Sequence, residues 1–67
     1  MNTFPYRIQV EWSERDRCFV ARVPALNVAT HGESAEEATR EAQVAAGLMM
    51  GVLRDDGQTL PEPDVVF

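Results

Sequence analysis

Residues 8–23, IQVEWSERDRCFVARV, decide the fold of this chain. Tyr6, Ile8, Val10 and Trp12 alternate with Arg7, Gln9 and Glu11 over residues 4–12, the period-two pattern of a half-buried strand. A polar run at 13–17 leads into a second β-prone run at 18–23. Side-chain parity then selects the register of the hairpin they form. Setting Trp12 opposite Phe19 also sets Val10 opposite Ala21 and Ile8 opposite Val23, so that one face is wholly apolar. The other face pairs Gln9 with Arg22 and Glu11 with Val20, and residues 14–17 form a four-residue loop. A slip of one residue would carry Arg22 into the core, which disfavours every alternative of the opposite parity.

Outward from the hairpin, Pro24 ends the second strand, residues 25–27 make a bend, and residues 28–31 form a short third strand. Gly32 and Glu33 precede a helix start. Ser34 is placed to cap it, Glu37 completes a capping box three residues later, and Glu36 and Glu37 face the positive end of the helix dipole. The helix is expected from Ala35 to about Arg54, with Ala38, Ala42, Ala45, Met49, Val52 and Leu53 on its apolar stripe. Gly57 is the stop. Residues 60–63, LPEP, read as extended, because a residue before proline avoids the α region. Val65, Val66 and Phe67 are expected to add a last edge strand. The order is β-β-β-α-β, an α+β fold with a small, mostly antiparallel sheet and one helix packed on one face.

Sixty-seven residues leave room for one domain, residues 1–67, and no second core. A domain of this size buries only about 60% of its unfolded surface, and such domains lean on disulfides, a metal or a partner subunit. Cys18 and His31 are the only residues of their kinds, so an intrachain disulfide is impossible and a closed zinc site is poorly supplied. Oligomerisation, as a dimer or tetramer, is the remaining support. Six basic residues against eleven acidic ones give a net charge of −5, and lysine is absent. That balance argues against direct binding to nucleic acid, which needs clustered cations, and suits a basic protein partner. No charged start precedes a long apolar run, so neither a signal peptide nor a membrane span is expected. Cytoplasmic location is the expectation.

Residues 23–42, VPALNVATHGESAEEATREA, resemble the central motif of the HicB antitoxin family. Val23, Pro24, Leu26, Thr30, Gly32, Ser34, Glu36, Glu37, Ala38, Glu41 and Ala42 carry the resemblance. Phe19–Val20–Ala21 upstream, and Leu53, Gly57 and the 60–63 run downstream, are similar to the family's flanks. Asn27 stands where the family usually has Pro-Gly, a residue that tolerates a left-handed backbone. The resemblance implies a partial RNase H-like fold of the same β-β-β-α-β order. It also implies a type II toxin-antitoxin role, in which the chain binds and neutralises a small basic, HicA-like toxin that cleaves messenger RNA. Many HicB-like chains add a C-terminal DNA-binding domain. None is read in residues 1–67, so operator binding is not expected from them.

Catalysis is not expected. An RNase H-type nuclease needs converging carboxylates around two divalent metals. Glu11 is the only acid within an expected strand apart from the chain-end Asp64, whereas Glu36, Glu37 and Glu41 suit solvated helix positions. His31 lacks a nucleophile that the sequence can set beside it, so no catalytic, metal or cofactor residue is assigned. Gly47 and Gly51 have a small-xxx-small spacing that suits close packing, and Met50 beside them is a candidate for an intersubunit surface. The residues expected at a partner or oligomer interface are Asn27, His31, Met50, Val65, Val66 and Phe67. Two other readings stand beside the antitoxin: an orphan domain that only self-assembles, and a minimal RNase H-like nuclease.

Overall fold

A computed structural model describes residues 4–64. Three strands, β1 (Gln9–Ser13), β2 (Cys18–Val23) and β3 (Val28–Gly32), form an open antiparallel sheet in the order β1-β2-β3, followed by one helix, α1 (Ala35–Asp55). The α+β arrangement is the expected one up to the helix. The last strand, at Val65, Val66 and Phe67, lies outside the described residues.

The hairpin register is the one that side-chain parity selects. Trp12 faces Phe19, Val10 faces Ala21, Glu11 faces Val20 and Gln9 faces Arg22, with residues 14–17 as the loop. Arg17 takes a left-handed φ of 55° there, and its N–H closes the loop on the Ser13 carbonyl at 2.7 Å. The first strand is shorter than the alternation suggests. Residues 4–8 stand outside the ladder, and Ile8 does not pair with Val23. Pro5 removes one donor from that segment, and Tyr6 turns into the core instead of continuing the sheet. Its hydroxyl donates to the Pro61 carbonyl at 2.6 Å. The N–H of Asp64 donates to the Pro5 carbonyl at 3.2 Å, and the Asp64 carboxylate accepts from the Arg7 N–H at 2.6 Å. The extended 60–64 segment is thereby tied beside the start of the chain.

Between β2 and β3 the chain makes a single 3₁₀ turn, Pro24–Leu26, with Pro24 at its first position. Asn27 closes it at φ 55°, ψ 41°, the left-handed conformation expected of this residue, and β3 then runs back beside β2 with Val20 facing His31. The helix begins and ends as its sequence signals indicate. The Ser34 hydroxyl accepts from the Glu37 N–H at 3.0 Å. Glu37 reaches back one residue further than a standard capping box, to the Glu33 N–H at 3.1 Å. At the other end Gly57 (φ 74°) and Gln58 donate to the carbonyls of Arg54 and Leu53, a Schellman closure that satisfies two orphan acceptors.

The helix face departs from the expected stripe. Ala38, Ala42 and Ala46 are fully buried and Met50 and Leu53 pack against the core, while Met49 and Val52 are exposed and Ala45 is half-buried. The expected stripe alternates steps of three and four and runs parallel to the helix axis. The buried one, 38-42-46-50, climbs in steps of four, a ridge inclined to the axis by roughly 26°. The helix therefore crosses the sheet obliquely. It lies over β3 and β2 and barely reaches β1. Val10 and Trp12, on the helix-facing side of β1, are left 39% and 47% exposed as a result. Trp12 compensates in part by an edge-to-face contact with Phe19 and an indole N–H donated to the Glu14 carboxylate at 2.8 Å.

Candidate functional site

The junction of β3 with α1 is built by residues 26–38. Thr30 lies on the helix-facing side of the sheet and donates its hydroxyl to the Ala38 carbonyl at 3.0 Å. Gly32, one pleat further, sits where a Cβ would come within 2.7 Å of the Ala38 nitrogen and 3.0 Å of the Glu37 side chain. Only glycine fits that approach without displacing the helix. Leu26 is buried in the core, and Ser34 caps α1. Each of these residues thus has a packing task that brings the first turn of the helix down on the sheet.

Among the described residues, that arrangement leaves the other side of the sheet open. The register brings Glu11, Val20 and His31 into one row across it and Gln9, Arg22 and Ala29 into the next. Val20 is buried in the middle strand even without a covering layer, because Glu11 and His31 flank it on the two neighbouring strands. The Arg22 guanidinium pairs with Glu11 across the first two strands. Cys18, a half-buried free thiol, projects from the same side as Val20. At the β3 end the exposed carboxylates of Glu33, Glu36 and Glu37 follow directly on the strand. β3 itself is an edge strand, with no partner on its outer side among the described residues.

The expected interface residues fall in different places. His31 is exposed on the open side of the sheet, at its β3 edge, and its side chain makes no hydrogen bond or ion pair among the described residues. Asn27 is exposed at the turn before β3, four positions earlier along the chain. Met50 is half-buried and packs against the core. Val65, Val66 and Phe67 lie outside the described residues. Sequence reasoning missed the exposed residues Val44 and Leu48 on α1; the i+4 spacing of Val44, Leu48 and Val52 was the available signal. No group of three or more His, Cys, Asp and Glu side chains suited to hold a metal ion occurs among the described residues. No helix among them is long and apolar enough to cross a membrane.

No protein-family model, curated protein or solved structure matches the chain.

Proposed function

We propose that the chain is a HicB-like antitoxin module that binds and neutralises a small basic toxin that cleaves messenger RNA. On this reading it is a cytoplasmic, non-catalytic protein that works as a homo-oligomer and does not itself contact nucleic acid. The observation that carries the reading is the one-sided sheet. The helix covers one face, and the open face with its bare β3 edge ends in three exposed carboxylates, Glu33, Glu36 and Glu37. An edge strand offers main-chain donors and acceptors to an incoming segment. Carboxylates at its end, within a chain of net charge −5, favour a cationic one. The HicB-like motif supports the same reading, because Thr30, Gly32, Ser34, Glu37 and Ala38, five of the residues that carry the resemblance, hold this edge against α1.

The experiment is co-expression with the product of the adjacent reading frame, followed by purification through a tag on this chain. A short, basic protein that stays bound at physiological salt and is released as salt rises supports the proposal. A folded chain that purifies alone beside such a neighbour removes it.

A further inference from the structure

The side of α1 turned away from the sheet carries apolar surface that the described residues leave uncovered. Val44, Leu48 and Val52 stand at successive i+4 positions and are 58%, 70% and 55% exposed. One further step in each direction reaches Arg40 and Asp56, both exposed. The ridge therefore reads Arg, Val, Leu, Val, Asp. Laid antiparallel on its own copy about Leu48, it matches itself at every position, with Arg40 opposite Asp56, Val44 opposite Val52 and Leu48 opposite Leu48. The two ion pairs among the described residues are Arg17–Glu14 and Arg22–Glu11, so Arg40 and Asp56 are both uncommitted. Gly47 and Gly51 lie beside this ridge, and a Cβ at either would meet nothing within 4 Å. Glycine disfavours a helix interior more than any residue but proline, and nothing in the chain requires it at these two positions. A second backbone drawn close against the helix would give the two glycines a use.

We infer that this ridge is the contact between two copies of the chain, joined by their α1 helices crossing antiparallel on a two-fold axis through Leu48. The inference rests on the assembly half of the reading above and is independent of its toxin half. Ridges of i±4n residues packed together are the commonest helix–helix geometry in globular proteins, and a self-complementary patch is what a two-fold dimer requires. A uniformly basic partner would meet Arg40 as a like charge, whereas a second copy brings Asp56 to it. The seam is about 24 Å long at 1.5 Å per residue. One helix of that length covers less than the roughly 800 Å² per partner of a standard interface, so a reversible dimer is expected.

Sedimentation velocity of the full chain over a micromolar concentration series tests this. The expected result is a reversible equilibrium between the 7.5 kDa monomer and a dimer. Leu48→Glu is expected to weaken it by about tenfold or more with an unchanged helical circular dichroism spectrum, because Leu48 makes little contact within its own fold. Arg40→Asp is expected to weaken it less, and Arg40→Asp combined with Asp56→Arg to restore it. In a Cys18→Ser background, Leu48→Cys is expected to form an intermolecular disulfide under mild oxidation and Val10→Cys is not. This last arm reports even where Leu48→Glu perturbs folding. A chain that stays monomeric throughout, or a dimer indifferent to Leu48→Glu and uncrosslinked by Leu48→Cys, overturns the inference. A dimer indifferent in this way leaves toxin binding untouched, and a dimer that behaves as expected but binds no toxin fails only the other half of the reading.

Discussion

Replacing Gly32 with alanine adds one methyl group at the most closely approached of the four glycines. The new Cβ would lie 2.7 Å from the Ala38 nitrogen and 3.0 Å from both Cβ and Cγ of Glu37. Ordinary van der Waals contact of such atoms begins near 3.4 Å. The Glu37 side chain can swing aside, but the Ala38 nitrogen belongs to the first turn of α1 and donates to the Ser34 carbonyl at 3.0 Å. Relief therefore requires the helix start to lift from β3 by about 0.7 Å, the difference between those two separations. That movement also stretches the Thr30 hydroxyl bond to the Ala38 carbonyl. Overpacking of this kind costs about 1–3 kcal/mol, offset by about 0.4–1 kcal/mol from the lower entropy of an unfolded chain carrying alanine. The net loss expected is about 1–2 kcal/mol. A domain of this size has a total stability of only about 3–5 kcal/mol, so Tm should fall by roughly 5–15 °C. Urea and thermal unfolding followed by far-ultraviolet circular dichroism measure it. The control is Gly47→Ala in the Leu48→Glu background at low concentration, where a Cβ meets open space and alanine should raise stability by up to about 1 kcal/mol. Equal or greater stability of Gly32→Ala would refute the close-approach argument.

Three further outcomes are expected. Tyr6→Phe removes the hydroxyl that ties the 60–64 segment to the start of the chain and should cost about 1–2 kcal/mol in urea titration, with faster proteolysis near Pro61. Ser34→Ala strips the cap from α1 and should cost about 1 kcal/mol, which Ser34→Asp recovers. RNA incubated with the purified chain and Mg²⁺ or Mn²⁺ should remain uncut; cleavage that vanished in Glu11→Gln would establish the nuclease reading instead.

The hairpin was legible because strand parity is binary: a slip of one residue moves Arg22 into the core, so composition alone chooses the register. Asn27 and the two ends of α1 were legible for a related reason, since each is fixed by a local backbone demand that few residues meet. The face of α1 was not. Its direction depends on the angle at which the helix crosses the sheet, a tertiary quantity, and with alanines at 38, 42, 45 and 46 the sequence supplies two candidate stripes of similar hydropathy. Choosing the wrong one exchanged Met50 for Met49 and Val52, and with them the inner for the outer surface. Tyr6 continued the alternation of the first strand in sequence but left the sheet in space, because Pro5 and the tie to Pro61 draw that segment inward. Of the expected interface, His31 and Asn27 are exposed.

The central claim is tested most directly by a cleavage assay. If the adjacent reading frame encodes a small basic protein that cuts messenger RNA, that protein is purified and titrated with the chain at fixed RNA. The account predicts that cleavage falls linearly and ends at a fixed, near-stoichiometric ratio, with the chain itself cutting nothing. Cleavage that continues undiminished in the presence of excess folded chain would contradict it.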